Sequence, residues 1–207
     1  MPSLDPFYDT FYSVLKGTWP MLVLFIVILI VLRITKLIIN EEKLVFYKDF
    51  YTLLFILYIL FLYYLLISME SVSYGSNFIP FREIFRFPFM SRGFIYNVLG
   101  NIVLFMPFGY FVSDYLKAHK ISHIFITSFI ISLTAELIQF KIGRTFDVDD
   151  ILLNVLGAII GFFVYRLVQK SKDIMPNFLK NEIFYNILAF VVLGVIAFVL
   201  GRMWGTV

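Results

Sequence analysis

Six long apolar runs constrain this chain of 207 residues more than any other feature. Each run is long enough to cross about 30 Å of hydrocarbon at roughly 20 residues per helix. The runs are continuous and do not alternate in polarity, which argues against the strands of a membrane barrel. The sequence therefore predicts an all-α polytopic membrane protein with about six transmembrane helices. We place them at residues 19–39, 50–68, 94–113, 121–140, 151–168 and 186–203.

Composition supports a membrane protein and excludes cysteine-based chemistry. Hydrophobic residues make up 61% of the chain, charged residues only 15%, and the mean hydropathy is +0.91. A soluble domain needs more polar surface than that. The chain has no cysteine, which excludes disulfides, thiol catalysis and cysteine metal sites. Its first ten residues lack the basic segment of a cleaved signal peptide.

Lysine and arginine in alternate connections predict the orientation, because cytoplasmic loops are enriched in both. The first, third and fifth connections hold ten of the 17 basic residues, and the other connections and termini hold seven. This bias predicts a multi-pass protein of the cell membrane with both termini and the connection after the fourth span outside. Basic residues placed between spans are explained by orientation, so no nucleic-acid partner is expected.

Polar residues from three predicted spans converge at one depth on the predicted outer side, and they are our candidate site. Charges beside hydrocarbon are costly unless they pair or face a cavity. Residues three or four apart share a helix face, which groups the members within each span. No single residue indicates a functional site; the convergence of all of them does. The candidates are Asn97, Asn101, Glu136, Gln139, Arg144, Asp147, Asp150 and Asn154.

Structural roles for the same residues stay open. Asp147 or Asp149 alone reads as a helix cap, since both lie where the fifth span begins. Asn101 alone reads as an interhelical hydrogen bond. A fixed network of Glu136, Arg144 and the aspartates would account for the whole group as structural.

Gly157 and Gly161 form a small-residue pair that lets a neighbouring helix approach closely.

The connection between the second and third spans is unusual. Residues 77–90 are aromatic and apolar, and arginines at 82, 86 and 92 lie in or beside them. Two readings stay open: a short amphipathic or re-entrant segment that starts after Pro80, or an ordinary aromatic loop at the membrane interface.

Four stretches in this order resemble the VanZ-like family: NFIPF, then NVLGNIVLFMPFG, then ELIQ, then RTFDVDDILLNVLG. The resemblance covers about residues 50–170. It implies three segments: 1–49 with the first transmembrane helix, 50–170 as a VanZ-like four-helix core, and 171–207 with the last helix. The family's founding member is associated with teicoplanin resistance in Gram-positive bacteria.

The resemblance thus implies a protein of the bacterial cell envelope that lowers susceptibility to teicoplanin-type glycopeptide or lipoglycopeptide antibiotics through an outward polar pocket. Its expected partner is a membrane lipid, a lipid-linked cell-wall precursor or the lipoglycopeptide itself.

Two other functions stay open. One is a membrane-embedded enzyme on a lipid-linked or glycan substrate, with Glu136, Asp147 and Asp150 as catalytic candidates and Arg82, Arg86 or Arg144 holding phosphate. The other is proton-coupled transport, which is less favoured because the polar residues lie at one end of the bundle. The sequence assigns no cofactor, no resident metal and no oligomeric state, and whether the two aspartates bind a metal stays open.

Overall fold

A computed structural model describes residues 6–68 and 75–205 of the chain. Most of the described residues are helical, and none of them belongs to a named strand. A π-helical turn, Phe94–Leu99, runs directly into α4, and a 3-10 helix, Asn177–Lys180, precedes α7. The α-helices are α1 Pro6–Asn40, α2 Phe46–Ser68, α3 Arg82–Arg86, α4 Gly100–Leu116, α5 Ile121–Lys141, α6 Val148–Ile174 and α7 Glu182–Gly205.

The helices confirm an all-α polytopic membrane protein. Among the described residues, five helical stretches are long and apolar enough to cross a bilayer: Gly17–Asn40, Phe46–Leu66, Phe94–Leu116, Ile121–Lys141 and Val148–Lys172. A sixth apolar stretch, Glu182–Phe198, lies in α7. These six correspond to the six predicted runs, and their largely apolar outer surfaces suit contact with hydrocarbon chains.

The chain divides into two compact units, residues 1–68 with 175–207 and residues 69–174. In the first unit, the Arg33 guanidinium in α1 donates to Glu42 and Asp49, both at 2.7 Å. The Tyr47 amide in α2 donates to Asn186 Oδ1 of α7 at 3.0 Å. Polar groups at the helix ends therefore tie α1 and α7 to α2.

In the second unit, α4 and α6 pack at backbone distance because glycines face the opposing main chain. A Cβ atom added at Gly157 would lie 2.3 Å from the Ile102 carbonyl oxygen, and one at Gly161 would lie 2.0 Å from the Met106 oxygen. No side chain fits there, so the glycine pair serves helix packing. Phe105 of α4 and Ile124 of α5 are fully buried in the same unit.

Packing groups α2 with α1 and α7, whereas the sequence resemblance groups it with the following three spans. The division of the chain into residues 1–49, 50–170 and 171–207 follows from sequence similarity to the family, and it stays a prediction. The candidate residues from Asn97 to Asn154, together with Arg82, all belong to the second unit.

A short helix does form after Pro80, as one of the two readings of residues 77–90 predicts. It is α3, five residues long, and Phe81 before it adopts a left-handed conformation with φ of 69°. Six large apolar side chains in and beside α3 are more than half exposed on the protein surface. They are Phe78, Ile79, Phe81, Phe85, Phe89 and Met90.

Candidate functional site

The polar cluster begins at the end of α5, where the chain reverses direction through Gly143. Gly143 has a φ of +93°, a conformation that glycine adopts at little cost. Its amide donates to the Phe140 carbonyl at 3.2 Å, and the Arg144 amide donates to the Gln139 carbonyl at 3.0 Å. These two bonds form a Schellman cap, which satisfies carbonyls at the helix end. The cap turns Arg144 back toward α5.

Glu136 of α5 is joined to the start of α6. Its Oε2 atom accepts a hydrogen bond from the Asp147 backbone amide at 3.0 Å. The Glu136 side chain is 3% exposed, so this carboxylate lies inside the protein and not in lipid. This hydrogen bond joins α5 to the residue that precedes α6.

Asp147 caps α6. Its Oδ1 atom accepts from the Asp149 amide at 2.9 Å and from Asn77 Nδ2 at 2.9 Å. The first bond is the one expected of an N-cap aspartate. Burial raises the pKa of the Asp147 carboxyl above its ordinary value, and the Asn77 hydrogen bond opposes that rise. The cap reading of Asp147 is therefore correct, but the residue also contacts a second segment.

Asp150 joins α6 to α4. Its Oδ1 atom accepts a hydrogen bond from Asn101 Nδ2 at 2.5 Å. The structure therefore brings Asn101, Glu136, Asp147 and Asp150 together from three helices, as their spacing in the sequence predicts.

Arg144 supplies positive charge to this group of carboxylates. It interacts electrostatically with both Glu136 and Asp150, and each interaction favours its charged form. Burial works the other way and lowers the pKa of the guanidinium overall. Two carboxylates of the cluster thus share one arginine, an arrangement suited to binding a polar or cationic group or holding a proton.

Asn77, which the sequence marks only through the family resemblance, is buried at the edge of the cluster with 3% exposure. It pairs with Asp147 as a single parallel β-bridge. Its amide donates to the Phe146 carbonyl at 2.7 Å, and its carbonyl accepts from the Val148 amide at 3.0 Å. The segment before α3 is therefore fixed to the turn before α6 through the main chain.

Asp149 makes contacts that the sequence does not predict. Its Oδ1 atom accepts from the Phe81 amide at 2.5 Å, and its Oδ2 atom accepts from the Glu83 and Ile84 amides at 2.7 and 3.3 Å. The side chain is 1% exposed. It was expected to cap its own helix, but it caps α3 instead. No local pattern signals this, because the partner segment lies 65 to 68 residues away.

Asn154 lies one turn further into α6, where Nδ2 donates to Ser132 Oγ at 2.9 Å. It is 2% exposed, and its Oδ1 atom has no hydrogen-bond partner among the described residues. Ser132 lies one turn from Glu136 on the same face of α5. The polar cluster therefore continues inward along the α5–α6 contact.

Three other candidates differ in their placement. Gln139 is buried near the end of α5 with 5% exposure. Asn97 is exposed, and its Nδ2 atom donates to Gly93 O of its own helix at 2.9 Å. Asn97 lies in the π-helical turn, whose wider winding rotates it away from the face of Asn101. Arg82 is exposed in α3, and its guanidinium makes no hydrogen bond or ion pair within the described part of the chain.

Across residues 6–68 and 75–205, no group of three or more histidine, aspartate or glutamate side chains is placed to hold a metal ion. The carboxylates of the cluster are instead bonded to amides from α4, α6 and the segment before α3.

The fold and cluster define a multi-pass helical membrane protein with a buried acidic group at one end of its bundle. The VanZ/LLP1 family profile matches residues 55–169, more than half of the chain. This protein belongs to the VanZ/LLP1 family. It is similar to Protein VanZ of Enterococcus faecium, with 32% identity over 88 residues. That alignment covers 42% of this chain and 54% of the relative, so the chain spans about half the length of the curated protein that it matches. No solved structure matches the chain.

Proposed function

We propose that this protein lowers the susceptibility of a bacterial cell to teicoplanin-type lipoglycopeptides through the cluster around Glu136 and Asp150. Membership of the VanZ/LLP1 family supports the proposal, since the founding member of the VanZ-like family is associated with teicoplanin resistance. The observation that carries it is the hydrogen-bonded group of Asn101, Glu136, Asp147 and Asp150 from three helices.

The chemistry of this cluster suits recognition at a membrane surface. Charged groups inside a membrane protein are costly and are retained mainly where they bind or relay something. Teicoplanin carries an acyl chain and acts at the membrane surface, where aromatic side chains of the α3 segment are exposed. In the proposed arrangement the cluster faces the cell exterior and binds the antibiotic or a lipid-linked cell-wall precursor.

The test is expression of the full chain in a teicoplanin-sensitive Gram-positive host. We expect a raised minimum inhibitory concentration for teicoplanin and a smaller change for vancomycin, which lacks the acyl chain. Glu136→Gln and Asp150→Asn should remove the effect at unchanged membrane abundance. Asp114→Asn is the matched control, because Asp114 is an acid at the other end of α4. Unchanged susceptibility to both antibiotics in the expressing host would refute the proposal.

A second candidate is an enzyme that acts on a lipid-linked or glycan substrate. The observation that favours it is the buried Glu136 near Arg144 and Asp150, a carboxylate placed to exchange a proton beside a group that can hold phosphate. Mass spectrometry of lipid extracts, with and without expression, tests this function. A new or depleted lipid species that is absent with Glu136→Gln would favour the enzyme, and identical extracts would exclude it.

A further inference from the structure

The segment around α3 is held rigidly at one end of the second unit, although it contains only one turn of helix. Three of its backbone amides bond to the Asp149 carboxylate, and Asn77 adds two main-chain bonds to the turn before α6. Phe78 stacks on Phe146 with ring centroids 5.2 Å apart. The inner side of the segment is thus satisfied by protein groups, and this fixes which side chains point outward.

The outward side is strongly apolar. Phe85 is 82% exposed, Phe89 is 76% exposed and Phe78 is 69% exposed. A cluster of this kind on a water-facing surface would be unfavourable. Its place only a few residues before the span Phe94–Leu116 puts it at the boundary between lipid headgroups and acyl chains. Aromatic rings are favoured at that depth of the bilayer.

The same segment carries two arginines whose side chains have no ion-pair partner among residues 6–68 and 75–205. Arg82 and Arg92 are exposed, and neither guanidinium makes a hydrogen bond or ion pair within the described residues. Arg86 differs, because its guanidinium pairs with Glu83 at 2.9 Å. The surface therefore combines exposed rings with two guanidinium groups that have no partner in the described part of the chain. Guanidinium groups can bind phosphate oxygens through paired N–H donors.

We propose that this surface binds anionic phospholipid, with the rings inserted among acyl chains and Arg82 and Arg92 on headgroup phosphates. Asp149 acts as the positioning residue that holds the surface in shape. Charge complementarity selects an anionic lipid over a zwitterionic one, since each basic residue at a membrane surface favours anionic lipid by about fivefold. The proposal stands apart from antibiotic susceptibility and can be tested without any antibiotic.

The experiment uses the full chain purified in detergent, with phosphatidylglycerol and phosphatidylcholine of identical acyl chains added at equal concentration. Native mass spectrometry gives the ratio of the two lipid adducts. We expect the wild-type protein to prefer phosphatidylglycerol, and the Arg82→Gln/Arg92→Gln protein to lose at least about fivefold of that preference. The control is Lys170→Gln/Lys172→Gln, which removes two exposed charges from the far end of α6 and should keep the preference.

Asp149→Asn supplies an independent arm because it retains every cation. It should reduce the preference for phosphatidylglycerol, since the weaker acceptor no longer holds the α3 segment. Circular dichroism confirms that each variant is folded before lipid is added. Equal adducts of both lipids on the wild-type protein, or equal losses in the arginine and lysine double variants, would overturn the proposal.

Discussion

Asn101 Nδ2 lies 2.5 Å from Asp150 Oδ1, and this hydrogen bond joins α4 to α6 inside the polar cluster. On α6 the bond is made about two turns before Gly157, so polar and apolar contacts follow one another along the same pair of helices. A carboxylate that loses its donor inside protein costs more than the bond itself contributes.

Asn101→Ala should therefore destabilise the protein by about 1–3 kcal/mol, because the Asp150 carboxylate is left without the amide. The measurement is thermal unfolding in detergent, followed by circular dichroism. Asn97→Ala is the matched control four residues earlier, where the amide is exposed and bonds only to its own helix. Equal losses in both variants would contradict a special role for the bond to Asp150.

Gly161→Ala should also destabilise the protein, by about 1–3 kcal/mol, because the new Cβ atom would meet the Met106 carbonyl oxygen of α4. Gly194→Ala in α7 is the control, since nothing lies within 4 Å of a Cβ atom there. Alanine also favours a helix over glycine, so that control should be neutral or slightly stabilising. A similar drop in melting temperature for both would be inconsistent with close contact between α4 and α6.

Asp149→Ala should loosen the α3 segment selectively. Hydrogen–deuterium exchange read by mass spectrometry should show lost protection at the amides of Phe81, Glu83 and Ile84, which bond to this carboxylate. Amides in the middle of α5 should exchange at unchanged rates. Protection that persists in the α3 segment would mean that the Asn77 bridge holds it without Asp149.

Asp147 gives the protein a pH dependence of known sign. Burial raises the pKa of its carboxyl in the folded protein above the ordinary 3.8. The folded state then binds the proton more tightly than the unfolded state. The contribution of Asp147 to stability is therefore full below pH 3.8 and is lost as pH rises through the folded pKa. Relative to Asp147→Asn, the wild-type melting temperature should decrease from acid toward neutral pH. A difference that increases with pH would reverse the sign.

The orientation prediction can be tested at Thr145, in the connection between α5 and α6. The chain contains no native cysteine, so Thr145→Cys is the only reactive thiol in that variant. We expect a membrane-impermeant maleimide to label it in intact cells, with Lys120→Cys at the other end of α5 labelled only after lysis. The opposite pattern would place the cluster on the cytoplasmic side.

Local sequence patterns were sufficient for the helices and for part of the cluster. Hydropathy defines a span within one segment, since each helix satisfies its own backbone in the bilayer. Spacing of three or four residues likewise places Glu136 near the end of α5, and Asp147 before α6 reads as a cap. Asn97 departs from the spacing rule because a π-helical turn intervenes, and that turn is not visible in the residue types.

The amino-acid sequence by itself determined the membrane class, the positions of the spans, the family and the convergence of Asn101, Glu136 and Asp150. Only the tertiary structure decided that Asp149 serves the α3 segment and that Asn77 is paired with Asp147. The physical reason is the range of the interactions. Hydropathy and capping act within a few residues, whereas these contacts join groups 66 and 70 residues apart, and which of them form depends on how the helices pack.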